Sequence, residues 1–491
     1  MTYYFIGIGG IGMSALARYF KQTGHTVSGY DRTESPLTRQ LEEEGIAVHY
    51  QDDPSCIPAN VDLAIYTPAV PADTAELQAI RERGITLKKR AEVLGELTRH
   101  HKCIAVAGSH GKTTTSSMIA HLLSHSDCGC TALLGGISKN FNSNVHIDMK
   151  SEYMVVEADE YDRSFLQLHP YYSVITATDP DHLDIYGSHR NMLDAYAQYA
   201  NQTLPEGKLF VKQGIGYIDG EEHEHEETSS GCFDSEAENR HHHEHNEEHE
   251  HEHEHDHSHC GLTIGSEITV ENYTAHGIEA DYYPWNVRNY GGNIFFDMRT
   301  PKGVLYDLEL PNSCLYNVEN AVAACAVALS CGLTEYQLRA GLKNFEGIRR
   351  RFDYRIKNKS IIYIDDYAHH PQEIEALIDS VRYLYPGKRV VGIFQPHLYS
   401  RTRDLADGFA SALSGLDEII LLPIYPAREK PLPGVSSAMI MHKIKTMNRY
   451  LCTPEQVPEL VEALCPDIVL TIGAGDIDRL VPKLEEYLLK F

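Results

Sequence analysis

The sequence contains no run of about 18 consecutive apolar residues, the minimum for a helix that crosses a bilayer, so no membrane segment is expected. Its opening, MTYYFIGIGG, lacks the basic start and small-residue cleavage site of a secretory signal, and a cytoplasmic location is expected. Cysteine is sparse, 11 in 491 residues with no framework spacing, which excludes a disulfide scaffold and reads as reduced thiols. No lysine- or arginine-rich face marks nucleic acid as a partner. The formal charge is −27, but residues 221–260 hold 15 acidic residues against the single Arg240 and account for −14 of it. What remains is a mildly acidic chain, 42% hydrophobic and 23% charged, with the composition of a soluble globular enzyme and length for about three domains.

What is present is an alternation of short apolar strands with amphipathic helices. YYFIGIG, TVSGYD and DLAIYTP read as strands, and MSALARYFKQTG, LTRQLEEEG and TAELQAIRERG as helices, a rhythm that implies βαβ units and a parallel sheet. A second unit opens at CIAVAGSHGKTTTSSMIAHLL, continues through strands YMVVEAD and YSVITAT, and closes with helices NVENAVAACAVALSCG and TEYQLRAGLKNF. A third follows FEGIRRRF, with strands IIYIDD, RVVGIFQP, EIILLPI and DIVLTIGAG. The expected fold class is α/β in three domains. These are a Rossmann-like domain over 1–97, a central P-loop ATPase domain with a mostly parallel sheet over 98–346, and a C-terminal Rossmann-like α/β domain over 347–491. Residues 221–260 carry 12 of the 28 histidines and almost no apolar surface, and are expected to be a disordered excursion from the central domain.

Gly7, Gly9, Gly10 and Gly12 follow a strand and precede a helix, and Asp31 ends the next strand. Glycines there permit a tight turn and close approach to a diphosphate at the helix N-terminus. The motif alone does not separate NAD from a UDP-sugar. The more specific signal is Gly108-Ser109-His110-Gly111-Lys112-Thr113-Thr114. Backbone amides of such a loop cradle phosphates, the lysine reaches the terminal phosphates, and the threonine hydroxyl after it binds Mg²⁺. Val106 stands where the usual pattern has its first glycine, so the loop is the shorter GxxGKT variant. Glu157 and Asp159 end one following strand and Asp181-His182 the next, which puts them at the carboxyl edge of the sheet beside the loop. Carboxylate and hydroxyl oxygens suit Mg²⁺ or Mn²⁺, and a neutral imidazole completes a second metal site; Thr113, Glu157 and His182 are the expected ligands.

GIGGIGMSALA, AGSHGKTTT, EADE with SF shortly after, DHLDIYG, NVENA, RRF, DDYAHHP, QPHLYSRTRD and GAGDI occur in the order found in Mur ligases, and the chain resembles the alanine-adding members of that family. The resemblance covers essentially all of the chain except the histidine-rich insertion. It implies that the first domain holds UDP, the second ATP, and the third closes over both. In that family Gly108 to Thr114 bind the ATP phosphates, Asn317 and Asn320 match positions near adenine, Asp366 the position contacting the ribose, and Arg351 a residue near the terminal phosphate. Tyr367, His369, His397 and Arg401 fall in motifs that face the sugar substrate and the reacting carboxylate. Tyr316, Leu398 and Tyr161 depart from common family residues and leave fine contacts open.

The implied reaction is phosphoryl transfer from ATP to the lactyl carboxylate of UDP-N-acetylmuramate, then attack on the acyl phosphate by the amine of L-alanine, a step of peptidoglycan synthesis. Such chemistry needs positioning and charge neutralisation, for which Lys112, His182 and Arg351 are suited, and no Ser-His-Asp or activated-cysteine arrangement. The alternatives are a murein-peptide-recycling ligase and, from another class, an NAD-dependent oxidoreductase resting on the first glycine loop. A metal-storage role would explain only the insertion, whose alternating His and Glu with Cys232 and Cys260 suit Zn²⁺ or Ni²⁺. A monomer or homodimer is expected.

Overall fold

The strand Thr2–Ile6 is buried along its whole length, as a strand covered on both faces by helices must be. In the computed structural model, which describes residues 1–219, 261–275, 277, 279–427 and 429–490, it is the middle of a five-stranded sheet. The order there is Ala47–His49, Thr26–Tyr30, Thr2–Ile6, Leu63–Tyr66, Leu87–Lys89, all parallel. Chain order reverses beside Thr2–Ile6, and the first glycine loop leaves this strand at that switch point.

The second sheet runs Val270–Tyr273, Lys208–Lys212, Pro170–Ile175, Lys102–Ala107, Tyr153–Glu157, Thr131–Ser138, Ser143–His146, with only the last strand antiparallel. Helix Lys112–Ser124 packs between it and Tyr316–Ser330, whose run of alanines lets two backbones approach closely. An antiparallel three-stranded sheet, Tyr283–Tyr290, Asn293–Thr300 and Gly303–Leu310, adds to this unit; its strands had not been picked out from the sequence. The third sheet has six strands, parallel except for its edge strand Asp353–Lys357. The fold is therefore α/β in three domains with mostly parallel sheets. The His/Glu-rich stretch 221–260, with its expected disorder, lies outside the described residues.

Two sets of contacts fix how the sheets meet. Helix Ile11–Gln22 leans on Thr131–Ser138 and Ser143–His146 of the second sheet. There buried Asn144 donates to the Ile11 carbonyl (2.7 Å) and to Ser14 Oγ (3.0 Å), while buried Arg18 donates to Asn144 Oδ1 (2.6 Å) and pairs with Glu44 (2.7 Å). Lys139 pairs with Asp353 (2.8 Å), and Asn289 donates to the Leu384 carbonyl (2.9 Å), which joins the third unit to the second.

Candidate active site

The strand Lys102–Ala107 ends at Gly108, and the helix Lys112–Ser124 starts after Gly111. Their φ values, +141° and +84°, lie in the region that favours glycine. A Cβ on Gly108 would stand 2.1 Å from Thr176 Oγ1. Ser109 donates its amide to the Ala177 carbonyl (3.1 Å) and its hydroxyl to the Asp179 carbonyl (2.7 Å). His110 Nε2 meets Asp179 Oδ2 at 2.8 Å, a bond that holds the Asp179 carboxyl below its usual range. The loop is thus pinned to the neighbouring strand end and leaves the helix N-terminus facing the cleft. Asn320 stands behind it, accepting from Thr115 Oγ1 (3.2 Å) and donating to Asn317 Oδ1 (2.9 Å).

Lys112 donates to the Gly108 carbonyl (2.5 Å) and pairs with Glu160 at 2.9 Å. Burial works against its ammonium, but the carboxylates of Glu160, Glu157 and Asp159 outweigh it and the pKa is raised. Glu160 had not been singled out from the sequence; it is the last residue of EADE, and nothing in one dimension distinguishes it from an exposed strand-end acid. His182, at φ +51°, has Nε2 3.7 Å from Glu160 and 3.6 Å from Asp181, and ligand atoms of these three groups lie within 4.8 Å of one another. His182 therefore groups with Glu160 and Asp181, while Glu157 and Thr113 lie toward Gly135 and Gly136: a Cβ on Gly135 would stand 2.1 Å from Glu157 Oε2, and one on Gly136 2.9 Å from Thr113 Cγ2. Glu157 Oε2 is buried and accepts no hydrogen bond among the described residues. A buried carboxylate oxygen without a donor, in a cleft wall that also includes Thr113, fits a hard divalent cation.

The third unit supplies the opposite wall. Arg351 lies over the Tyr367 ring, 4.9 Å from its centroid, with Arg350 at 5.2 Å. Glu373, at the third position of the helix that starts with Pro371, accepts from the amides of His369 (2.9 Å) and His370 (3.2 Å). Burial opposes its charge, but His369, Arg351 and those two amides lower its pKa to about 2. Burial pushes the His369 imidazole down despite Glu373, so its neutral form is favoured. Glu373 was also missed; the HPQE pattern is a helix-start signal that would have located its capping role. Asp366 is placed behind this wall, its oxygens taken by the Phe352 amide (2.6 Å), the Ala368 amide (2.8 Å) and the Tyr316 hydroxyl (3.3 Å). His397 is also one layer back, stacked on Tyr425 at 5.7 Å and 6.3 Å from the His369 ring. Leu398 precedes its helix at φ +70°, and Tyr161 meets the His182 ring edge-on at 5.3 Å.

These walls enclose a cleft of about 730 Å³. Gly9, Ser109, His110, Gly111, Lys112, Thr113, Thr114, Glu157, His182, Arg351, Tyr367, His369 and Arg401 line it; Gly7, Gly108, Asn317, Asn320, Asp366 and His397 do not. Gly10 and Gly12 line an adjoining cleft of about 270 Å³ together with Lys89 and Arg90, two further cations that the sequence had not flagged. Arg90 bridges to Asp159 (3.1 Å). Asp31, the acid that a nicotinamide reading would place on a ribose, has Oδ2 bound to the Gly9 amide (2.8 Å) and Oδ1 to the Thr33 amide (3.0 Å). It braces the glycine loop, which removes the main support for that rival.

A phosphate loop, strand-end acids and a cationic wall gathered by three α/β domains define a nucleotide-dependent ligase. The chain belongs to the Mur ligase family: residues 2–102 match the Mur ligase family catalytic domain, 106–328 the Mur ligase middle domain, and 350–475 the glutamate ligase domain of Mur ligases. It is 44% identical to the UDP-N-acetylmuramate–L-alanine ligase of Porphyromonas gingivalis, over 99% of this chain and 98% of that one. The enzyme of the same name from Flavobacterium johnsoniae is 42% identical over 99% and 97%. The crystal structure of the UDP-N-acetylmuramate-alanine ligase of Thermotoga maritima superposes with a TM-score of 0.78 at 26% identity, covering 100% of this chain and 99% of that one. A murein peptide ligase from Psychrobacter arcticus, at 19% identity and a TM-score of 0.65 over 100% and 99%, shares the fold.

Proposed function

We propose that this chain joins L-alanine to the lactyl carboxylate of UDP-N-acetylmuramate, with ATP cleaved to ADP and phosphate, as a step of peptidoglycan synthesis in the cytoplasm. The observation that carries this reading is the single cleft in which the Gly108–Thr114 loop faces Arg351, His369 and Arg401. Carboxylates are poor acyl donors at neutral pH, and phosphorylation supplies a leaving group. In this reading Lys112 and Arg351, which line the same cleft, neutralise charge on the transferring phosphoryl group, with Gly108 to Thr114 cradling the phosphates. Thr113 and Glu157 would hold one Mg²⁺ or Mn²⁺ and His182 a second; a bound cation supplies charge neutralisation on the nucleotide phosphates. Asn317, Asn320 and Asp366 are assigned to the nucleoside side, Gly7, Gly9, Gly10 and Gly12 to the UDP diphosphate, and Tyr367, His369, His397 and Arg401 to the sugar and its carboxylate. The three sheets support domain breaks near 98 and 347. The protein acts as a monomer or homodimer, and residues 221–260 bind Zn²⁺ or Ni²⁺ without a part in ligation.

Phosphate release measured with UDP-N-acetylmuramate and each of a panel of amino acids tests the substrate assignment, with L-alanine expected to give the highest kcat/KM. Oxygen label placed in the muramyl carboxylate should appear in released phosphate. Label confined to amide and water, with ATP cleaved to AMP and diphosphate, would overturn the acyl-phosphate route.

A further inference from the structure

Lys112 aims its charge inward. An ammonium has three N–H donors, and Lys112 Nζ has three protein acceptors: the Gly108 carbonyl at 2.5 Å, the Ser109 carbonyl at 3.4 Å and Glu160 Oε1 at 2.9 Å. Two of these belong to the loop that the lysine is meant to serve, and the third is a carboxylate whose side chain is only 2% exposed. Phosphates entering the cleft can gain this ammonium only if part of that set is given up. The charged contact is the strongest of the three and the one that most reduces the positive field at the loop.

Glu160 is held from the other side as well. The Tyr186 hydroxyl donates to its backbone carbonyl at 2.6 Å, which fixes where its side chain starts. Its carboxylate then faces two different partners, the Lys112 ammonium and the imidazole of His182, with the Asp181 carboxylate in the same small cluster. The group is thus counter-ion to the phosphate-loop lysine and, at once, a hard-oxygen donor in a set of cation-binding size. A dication at short range attracts a carboxylate more strongly than an ammonium does, so the two roles compete.

We propose that Glu160 is a positioning residue that keeps Lys112 folded against its own loop and releases it to nucleotide phosphates when a divalent cation takes over the carboxylate. This rests on reading the Gly108–Thr114 loop as a nucleotide site. It makes cation and nucleotide cooperate through the protein, in addition to any contact between the two.

Calorimetric titration of the full chain with ADP, in EDTA and again in Mg²⁺, tests the proposal. Glu160→Gln keeps the shape of the side chain and removes its charge. It should bind ADP about tenfold more tightly than the parent in EDTA, the size of effect expected for releasing one ion-paired cation, and should gain less on addition of Mg²⁺. Glu160→Asp withdraws the carboxylate from Lys112 and should fall between the two; it decides the matter if the Gln variant does not fold. A role confined to structure would shift both affinities together and leave their ratio unchanged, and that result overturns the proposal. A parent protein that binds no ADP in either condition overturns the nucleotide-site reading beneath it.

Discussion

Replacing Lys112 by alanine acts on two quantities that are measured separately. The lysine side chain is 14% exposed and its partner Glu160 2%. Removing one member of a buried ion pair leaves the other charge uncompensated, a loss of about 3–5 kcal/mol. Burial pushes Glu160 up from its ordinary value of 4.5, and without Lys112 nothing of comparable strength opposes that shift. The sign follows from linkage: a carboxyl with a raised folded pKa carries no penalty below its unfolded value and destabilises progressively as pH rises through the folded one. Lys112→Ala should lose several kcal/mol to urea near about pH 8 and much less near about pH 5. Adding Glu160→Gln should remove most of that pH dependence. Turnover should not recover in the double variant. A positioned cation acting on a transferring phosphoryl group contributes about 3–4 kcal/mol, or 10²–10³ in kcat. Phosphate release at saturating substrate and urea unfolding at both pH values complete the comparison. Turnover of Lys112→Ala within about threefold of the parent, a difference under 1 kcal/mol, would refute the role given to the lysine, and unfolding insensitive to pH would refute the buried-pair argument.

Glu373, lowered from 4.5 to about 2, contributes stability that is present above the unfolded value and lost as pH falls through the folded one. Glu373→Gln should therefore cost up to about 3 kcal/mol near neutrality and little below about pH 2, read by urea unfolding across pH. Gly135→Ala would place a methyl 2.1 Å from Glu157 Oε2 and should raise the Mg²⁺ concentration needed for half-maximal turnover severalfold, with UDP-sugar affinity measured by calorimetry nearly unchanged. Deleting residues 221–260 should abolish zinc or nickel binding in a metal titration and leave ligation intact; loss of turnover in a folded deletion variant would show that the stretch serves the reaction.

The three βα rhythms, both glycine loops and the strand-end acids were legible because each rests on a local rule, a period or a turn that the chain satisfies within about a dozen residues. What escaped was of another kind. Glu160 and Glu373 matter because they are buried next to cations from distant segments, and burial is a property of the fold. Arg90 sits in an unremarkable helix start and gains meaning only because the second sheet presents Asp159 to it. Arg350 and Phe352, at φ +63° and +48°, flank Arg351 in a bent segment that the run of arginines did not announce. The antiparallel sheet over 283–310 was missed for a simpler reason. Its strands show mixed polarity, because one face packs on the central unit and the other carries Tyr290 and Tyr306, both strongly exposed.

Asn144 grips the Ile11 carbonyl and the Ser14 hydroxyl while Arg18 grips Asn144, so the first glycine loop cannot slide over the second sheet without breaking three hydrogen bonds, two of them fully buried. The two clefts share Ile11, Gly135, Glu157 and Asp159 in their walls. A synthetic molecule reaching from one cleft into the other therefore meets a set separation. Its second half would bind at an effective concentration governed by its own linker, about millimolar for a short one, so tethering two weak fragments should multiply their avidity about 10²–10⁴-fold. A clamp that evolved between two sheets thus doubles as a ruler for inhibitor design.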